Sequence, residues 1–411
     1  MAKDFQAVRR TSEQLCETLA TEDFVLQAME DVSPPKWHLA HVTWFFETFI
    51  LRPHLPGYRP LNERYRFLFN SYYNSAGPQY YRPARGLLSR PTVAEVYVYR
   101  AHVDAAIQTL VAEIDEARLP DISGLIVVGL NHEQQHQELL LTDIKYSLSV
   151  NPLRPAYYKV QPPRGSATPP LRWLGFEGGL CDVGHDGSGF AFDNEWPRHR
   201  TYLRPFKLAS RLVTNGEYLE FMKAGGYRDW RFWMSEGWKL IQAKGWTAPL
   251  YWEQVDGTWS TQTLAGLLPL DEHAPVSHVS YYEADAFAQW AGRRLPTEHE
   301  WEHAASRQRH TGHLMDSGVY HPLPALGLET DLEQMIGDVW EWTRSPYAPY
   351  PGYQPLSGPL AEYNGKFMVN QMVLRGGSCV TPASHIRITY RNFFPPDARW
   401  QFSGIRLAED A

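Results

Sequence analysis

Cysteine is scarce in this sequence, which has only Cys16, Cys181 and Cys379 among its 411 residues. The three are far apart and odd in number, which excludes both a disulfide framework and a CxxC metal or redox site. Apolar runs are also short. No stretch of about 18 apolar residues occurs, and the N-terminal residues lack the apolar core of a signal peptide. These absences predict a cytoplasmic protein with no membrane partner.

Clusters of basic residues are absent as well. The formal net charge is −7 and the pI is near 6.2, whereas surfaces that bind nucleic acid or anionic membranes carry positive charge. We therefore expect no nucleic-acid partner.

Aromatic side chains are abundant. They make up 14% of the sequence and include 15 Trp and 23 Tyr, which favours stacking, cation–π contacts and an irregular, loop-rich fold. A chain of this length has room for two or three domains with sizeable cores.

The first 150 residues have the apolar spacing of helices. The pattern predicts one helix over residues 4–30 and a second that begins at Ser33-Pro34-Pro35, where a capping serine precedes proline. Two more are predicted over residues 92–118 and 121–149, after a long loop over residues 52–91. Four helices with one long crossover indicate a bundle, whose core is a common place for a metal ion.

Proline marks a boundary after the bundle, since residues 151–170 contain six prolines and no apolar periodicity. We predict a bundle over residues 1–155, a linker over 156–171 and a second domain over 172–411. The second domain has short segments separated by Gly, Pro and Trp, with helices near 281–292 and 297–305. Thr297 and Glu300 have the spacing of a capping box. The predicted fold class is α+β.

The segment NHEQQHQE carries the strongest chemical signal. His132 and His136 are four residues apart, so both imidazoles lie on one helical face, together with apolar residues and Asp143. Two imidazoles on one rigid helix can share a metal ion, and a third ligand must come from elsewhere. His41 lies among aromatic residues on the buried face of the second helix, and its neighbour His38 fits that face less well.

Three neutral imidazoles would leave coordination positions open, as catalytic metal sites require, and they suit zinc as well as non-haem iron. HEQQH also matches the HExxH pattern of zinc metalloproteases, in which Glu133 would be the general base. Such proteases take their third ligand from downstream, whereas His41 lies about 90 residues upstream. A zinc hydrolase remains an alternative.

Several segments carry a family resemblance that covers nearly the whole chain. SPPKWHLAHVTWFFE and NHEQQHQELLLTDIKY resemble the metal-binding DinB-like bundle of the sulfoxide synthases of ergothioneine biosynthesis. RRLPTEHEWEHAA, GDVWEWT, LRGGSCV and FSGIRLA resemble the formylglycine-generating-enzyme (sulfatase-modifying factor) domain, which has a C-type-lectin-like fold. The order of the two regions is that of the sulfoxide synthases.

The resemblance implies a mononuclear Fe(II) enzyme that uses O2. Its reaction joins the sulfur of a cysteine-type donor to C2 of the imidazole of N-alpha-trimethylhistidine (hercynine) and gives a sulfoxide. The iron ligands of the family fall on His41, His132 and His136.

Substrate contacts follow by matching residues to the family. Arg82 and Arg85 in YRPARG match two arginines that hold the carboxylate of the thiol substrate, a task that suits a guanidinium fork. Gln135 matches a contact to the hercynine imidazole, and Asn392 in YRNFFPP matches another hercynine contact.

Phe393 and Phe394 depart from the branch of the family that uses gamma-glutamylcysteine, which has an aspartate at the place of Phe394. A phenyl ring cannot accept hydrogen bonds from the polar end of that donor, so the resemblance implies free L-cysteine as the sulfur donor. In the cysteine-using branch the NSYY segment looks like the proton source, with Tyr73 as the main catalytic tyrosine and Tyr72 as its partner. Tyr347 and Tyr350 are weaker candidates.

Other functions remain open at this point. The second domain alone suggests formylglycine generation, but the reactive cysteines of that enzyme are replaced here by Thr381 and Ile386. The same sulfoxide chemistry could use gamma-glutamylcysteine, a selenium donor or histidine as substrate. From a different class, the chain could be a non-catalytic binding module.

Overall fold

A computed structural model describes residues 1–115, 117–165, 167–308, 311–328 and 332–411. The chain divides into two compact units. The first comprises Met1–Tyr158 and Leu356–Glu362, and the second comprises Lys159–Pro355 and Tyr363–Ala411. Within the described ranges, no helix has both the length and the hydropathy that a membrane span needs.

The first unit is built from four long helices: α1 (Ala2–Gln14), α2 (Pro35–Phe46), α3 (Val93–Glu113) and α4 (Leu119–Ser149). Helix α2 contacts both α3 and α4, and α1 contacts α4. Every residue of α2 is buried, as expected for the central helix of a bundle. Short helical turns complete the unit: Thr21–Val25, Glu47–Leu51, Arg52–His54, Tyr65–Leu68, Asn74–Ala76, Arg82–Leu87 and Gly358–Glu362.

The helix predicted over residues 4–30 is wrong in its extent. Helix α1 ends at Gln14, where the backbone tightens into turns with Cys16 N bonded to Glu13 O at 2.9 Å. Further on, the Asp23 carboxylate accepts the Ala20 N–H at 2.9 Å and starts a separate 3-10 turn. Such local bonds from side chain to backbone compete with a continuous helix although the apolar spacing continues.

The starts of the other helices follow local chemistry. Helix α2 begins with Pro35 at its first position, one residue later than predicted, because proline has no N–H to leave unsatisfied. Helix α3 begins with a capping box, in which Glu95 N donates to the Thr92 hydroxyl and Thr92 N donates to the Glu95 carboxylate.

The second unit mixes four helices with short strands, and the predicted α+β class is confirmed. The helices are α5 (Asn215–Lys223), α6 (Ser235–Lys244), α7 (Tyr281–Trp290) and α8 (Glu298–Ala305). The strands are β1 (Trp173–Phe176), β2 (Gly179–Val183), β3 (His199–Leu203), β4 (Phe206–Ala209), β5 (Trp252–Val255), β6 (Thr258–Thr263), β7 (Gly266–Pro269), β8 (Trp340–Pro346), β9 (Met372–Arg375), β10 (Asn392–Phe394), β11 (Ser403–Gly404) and β12 (Ala408–Asp410).

The strands form small, mainly antiparallel sheets with the orders β1-β4-β12, β10-β9-β8-β11, β2-β3 and β5-β6-β7 among the described residues. The predicted capping box of α8 is confirmed, since Glu300 N donates to the Thr297 hydroxyl at 3.1 Å. On α8, the buried Trp301 donates its indole N–H to Glu341 at 2.8 Å. A buried ion pair of Arg406 with Glu341 completes this part of the core.

Candidate metal centre

Three histidines converge in the core of the first unit. His41 comes from α2 and His132 and His136 from α4, and one ring nitrogen of each lies within 4.8 Å of the others. The Nε2 atoms of His41 and His132 are 3.2 Å apart. The structure thus brings together the three residues that the sequence analysis selects as metal ligands.

Close packing of α2 against α4 creates this proximity. Gly129 on α4 lies against α2 so tightly that an added Cβ would stand 2.6 Å from the Phe46 ring. Phe45, the neighbour of Phe46 on α2, contacts His132, with the two ring centroids 4.6 Å apart. A larger residue than glycine at position 129 would separate the two helices that carry the ligands.

Aromatic rings fix the orientation of His41. Its imidazole lies between Trp37 and Trp44, with ring centroids 4.6 and 5.4 Å away and nearly parallel planes. Its Nδ1–H donates to the carbonyl of Phe69 at 2.6 Å, because a carbonyl can only accept. The lone pair of Nε2 is therefore directed towards His132.

Burial keeps these imidazoles neutral, as metal ligation requires. Burial lowers the pKa of His132 to about 3. Burial, and then the neighbouring His132, lower the pKa values of His41 and His136 well below the ordinary value. Three neutral imidazoles from two rigid helices fit a divalent transition metal, and the donor set itself accommodates zinc or iron.

Two further polar residues, His38 and Asp143, lie next to the candidate ligand His136, and their contact was not predicted from the sequence. His38 places its Nδ1 2.8 Å from Nδ1 of His136 and its Nε2 3.1 Å from the Asp143 carboxylate. Asp143 also accepts the backbone N–H of Ser33 at 2.8 Å. The available signal was Asp143 itself, an acidic residue two helical turns after His136 on an otherwise apolar stripe.

Glu133 is not available as the general base of an HExxH protease. Its fully buried carboxylate accepts from Arg9 at 2.9 Å, Arg100 at 3.1 Å and Ser12 at 2.7 Å. Burial alone would raise the pKa of Glu133, but the two guanidiniums outweigh it and lower the pKa to about 2. The carboxylate ties α4 to α1 and α3, so its role is to hold the bundle together.

The two arginines of YRPARG differ in their surroundings. Arg85 is 3% exposed and stacks on Trp37 at 3.4 Å, while its Nη1 donates to the Ser33 hydroxyl. Its Nε and Nη2 are buried and have no hydrogen-bond partner among the described residues. Burial, and then the charge of Arg82, lower the pKa of Arg85 to about 8, which marks a guanidinium short of compensating negative charge. Arg82 is exposed, and its Nη2 donates to the Asp31 carbonyl.

The paired tyrosines lie on the loop that follows α2. Tyr73 is fully buried, and its ring contacts Trp44 and Phe49 at centroid distances of 5.7 and 5.0 Å. Tyr72 is half-buried and stacks on Tyr73 at 4.5 Å, with the two hydroxyls 3.4 Å apart. Tyr73 and the ligand His132 therefore belong to one aromatic cluster.

Two hydrogen-bonded contacts fix this loop. Asn70 bonds both the N–H and the carbonyl of Tyr73, at 3.1 and 2.9 Å. The Glu362 carboxylate accepts from Asn74 N, Asn74 Nδ2 and Ser75 N at 3.1, 2.9 and 2.9 Å. Glu362 thus caps the turn that begins directly after Tyr73, although it is distant in sequence. Gln135, the remaining predicted contact in this unit, is half-buried on α4 between the two ligand histidines.

The other predicted substrate contacts lie on β10 of the second unit. Asn392, Phe393 and Phe394 pair with Leu374, Val373 and Met372 of β9, and all three are half-buried. Alternation along a strand places Asn392 and Phe394 on one face and Phe393 on the other. Phe393 stacks on the buried Tyr347 at 4.0 Å with planes 8° apart, so Phe393 has a packing role.

The weaker tyrosine candidates are engaged inside the second unit. The Tyr347 hydroxyl accepts from Asn194 at 2.9 Å, and the Tyr350 hydroxyl accepts from Arg375 at 2.9 Å. Burial raises the pKa of both hydroxyls far above the ordinary value. All three cysteines of the chain are buried, and the Thr381 hydroxyl accepts from Ser378 N at 2.8 Å. This loop therefore lacks the cysteine pair of a formylglycine-generating enzyme.

Comparison with known proteins covers both parts of the chain. Residues 4–140 match the DinB superfamily and residues 173–411 match the sulfatase-modifying factor enzyme 1-like domain. A hercynine oxygenase of Mycobacterium tuberculosis is 33% identical over 92% of this chain and 91% of its own length. A hercynine oxygenase of Mycolicibacterium thermoresistibile is also 33% identical, over 92% of this chain and 88% of its own. A formylglycine-generating enzyme of Streptomyces coelicolor is 31% identical over only 55% of this chain and 84% of its own.

Proposed function

The chain belongs to the hercynine oxygenase family, and from that premise we propose that it is an Fe(II)- and O2-dependent sulfoxide synthase. It joins the sulfur of L-cysteine to C2 of the imidazole of hercynine, and the product is hercynylcysteine sulfoxide, an intermediate of ergothioneine biosynthesis. One thiol, one aromatic C–H and one O2 give the sulfoxide and one water, so the reaction needs no further reductant. The cluster of His41, His132 and His136 in a chain that matches these oxygenases almost end to end carries the proposal.

The three histidines are the residues that would hold the iron. Bound there, Fe(II) would supply the redox activation of O2 and would orient both substrates through the coordination positions that three imidazoles leave open. Trp37 and Trp44 hold His41 between their rings, and the Phe69 carbonyl fixes its tautomer. These contacts preorganise the site before any substrate enters.

Arg85 is the residue best suited to the cysteine carboxylate. Its Nε and Nη2 groups, which have no hydrogen-bond partner in the part of the chain that the structure describes, present the fork that a carboxylate fills with two parallel hydrogen bonds. A bound carboxylate would also compensate the positive charge of the buried Arg85 guanidinium. We assign the exposed Arg82 a secondary, electrostatic part in the same recognition.

Tyr73 is the proposed proton donor, with Tyr72 as its partner. The Tyr73 hydroxyl is excluded from solvent and lies beside the Tyr72 hydroxyl. A buried phenol surrounded by aromatic rings can pass a proton to reacting oxygen without competition from bulk water. Asn70 and Glu362 hold the loop that carries the pair.

Selection of the donor rests on Phe394. Phe394 lies on the same face of β10 as Asn392, the proposed hercynine contact. Phe393 lies on the other face, where its ring stacks on Tyr347. A phenyl ring would leave the amino and carboxylate groups of a gamma-glutamyl donor without partners, at a cost of about 1–3 kcal/mol for each buried group. Free cysteine has no glutamyl residue and therefore carries no such additional groups. Gln135 is the proposed contact to the hercynine imidazole.

Anaerobic Fe(II) titration followed by O2 uptake tests the proposal. We expect one Fe(II) per chain, and we expect rapid O2 consumption only when cysteine and hercynine are both present. Stoichiometric zinc without iron in protein purified with no added metal would support the hydrolase alternative instead. The ion pairs of Glu133 oppose that alternative, because they remove its base.

A further inference from the structure

The buried pair of His38 and Asp143 has no part in the function proposed so far. Each residue is 3% exposed. His38 lies on α2, three residues before His41, and Asp143 lies on α4, seven residues after His136. The pair therefore stands directly beside the three ligands and draws one residue from each of the helices that supply them.

The contacts of the pair form a continuous chain that ends on a ligand. The Asp143 carboxylate lies 3.1 Å from His38 Nε2, and His38 Nδ1 lies 2.8 Å from His136 Nδ1. The rings of His38 and His136 are 5.1 Å apart. The backbone N–H of Ser33 donates to the same carboxylate oxygen at 2.8 Å, which anchors Asp143 to the start of α2.

The identity of each donor follows from the chemistry of Asp143. The carboxylate of Asp143 is the acceptor of this hydrogen bond, so His38 donates from Nε2. In a neutral ring with Nε2 protonated, Nδ1 is an acceptor. The facing Nδ1 of His136 must then carry a proton and donate it to His38. This leaves the Nε2 lone pair of His136 free to bind a metal.

We propose that His38 and Asp143 are a positioning pair that fixes the tautomer and ring orientation of His136. The inference rests on the proposed metal site. It assigns His136 the same arrangement that the Phe69 carbonyl gives His41, except that here the acceptor is a second imidazole held by a carboxylate. Both ligands then present Nε2, one from each helix.

The Ser33 segment connects this pair to the substrate arginine. The Ser33 hydroxyl accepts from Arg85 Nη1 at 2.9 Å, and its backbone N–H binds Asp143. The loop before α2 therefore fixes both the guanidinium and the carboxylate from a single residue. Loss of Asp143 should disturb the orientation of His136 more than it disturbs α2, because α2 keeps its own packing against α3.

Metal affinity of the full-length apo-protein tests the proposal. Anaerobic Fe(II) titration against a competing fluorescent chelator would be run on the wild type, H38F, H38Q, D143A and D143N. Co(II) absorption spectra would report ligand geometry independently of activity. We expect H38F and D143A to lose about 10- to 100-fold in affinity, with altered Co(II) spectra. H38Q and D143N should retain more affinity, because their amide oxygens can still accept from His136 and from His38.

A histidine outside the cluster supplies the matched control. His102 on α3 bonds the Arg59 carbonyl, and H102F should bind Fe(II) like the wild type. Wild-type affinity and spectra in H38F and D143A would overturn the positioning role and leave the proposed function standing. A wild type that binds neither Fe(II) nor Co(II) would overturn both. Should H38F fail to fold, D143A decides between these outcomes.

Discussion

At the scale of single residues, the guanidinium of Arg85 is the group most directly involved in the proposed recognition of substrate. R85Q should raise the KM for cysteine about 10- to 100-fold, since hydrogen bonds to charged groups contribute about 1.5–3 kcal/mol. The kcat should change less. R82Q should raise the KM less than R85Q does, because Arg82 is exposed, is already bonded to Asp31 and has only a secondary part in the proposed recognition. Equal KM values for R85Q and the wild type in steady-state assays would contradict the assignment.

Tyr73 should govern which product forms. In Y73F the sulfoxide rate should fall about 100-fold or more, because general acid catalysis of this kind contributes about 10²–10⁴. The enzyme should then add O2 to the thiol of cysteine and release the sulfinic acid instead of the sulfoxide. Mass spectrometry of both products, with Y72F as the milder comparison, measures the partition. Wild-type sulfoxide synthesis with no diversion in Y73F would remove Tyr73 from the mechanism.

Asp338 should make stability depend on pH. Burial raises its pKa from 3.8 to about 7, against the opposing effects of the Leu323 N–H and Arg406, while Glu341 adds to the rise. The folded state thus favours the protonated carboxyl, and stability falls as pH rises from about 4 to 7. Asparagine keeps the acceptor for Leu323 N and tolerates the local φ of 57°.

D338N should therefore be more stable than the wild type, and its advantage in unfolding free energy should grow by about 2 kcal/mol between pH 5 and pH 8. Urea unfolding at the two pH values measures this. An advantage that does not change with pH would show that Asp338 is ionised in the folded protein without cost.

Sequence could identify the three histidines that cluster in the structure but not the residues that support them. Spacing on one helix and an aromatic stripe on another were enough to select His132, His136 and His41. The contact of His38 with Asp143 joins positions 105 residues apart and depends on how two helices are rotated against each other. Apolar periodicity predicts which face of a helix is buried. Which residues of another helix that face contacts depends on how the two helices pack.

At the scale of secondary-structure elements, the approach of α2 to α4 sets the geometry of the proposed metal site. G129A should destabilise the protein by about 1–3 kcal/mol and weaken Fe(II) binding, because the added methyl meets the Phe46 ring. G124A is a matched control on the same helix, since a Cβ there meets nothing within 4 Å. It should raise stability by about 1 kcal/mol through helix propensity.

Thermal unfolding and Fe(II) titration of both variants measure these effects. If G129A and G124A behaved alike, close packing at Gly129 would not be what sets the distance between the ligand helices. Helix boundaries show the matching limit of sequence-based prediction. The capping box of α8 was predicted, whereas the end of α1 depends on tight turns and on the bond that the Ala20 N–H donates to the Asp23 carboxylate.

At the scale of the whole molecule, the chain comprises a helical unit and a mixed α+β unit. The sequence shows the same change, from helical apolar spacing to short segments separated by Gly, Pro and Trp. One exception is the segment Leu356–Glu362, which belongs to the first unit although it comes late in the chain. No local sequence pattern predicts that this segment joins the first unit. It is held there by hydrogen bonds from Asn74 and Ser75 to the Glu362 carboxylate, residues that are distant in sequence. Fold class follows from periodicity, and such long-range contacts do not.

Product identity in a competition assay is the most direct test of the central claim. The Fe(II)-loaded protein would be given hercynine, O2 and equal amounts of L-cysteine and gamma-glutamylcysteine, with mass spectrometry of the products. We expect hercynylcysteine sulfoxide as the main product. A predominance of the gamma-glutamyl sulfoxide would contradict the role of Phe394, and the absence of any product with a bond from sulfur to imidazole would contradict the proposed function itself.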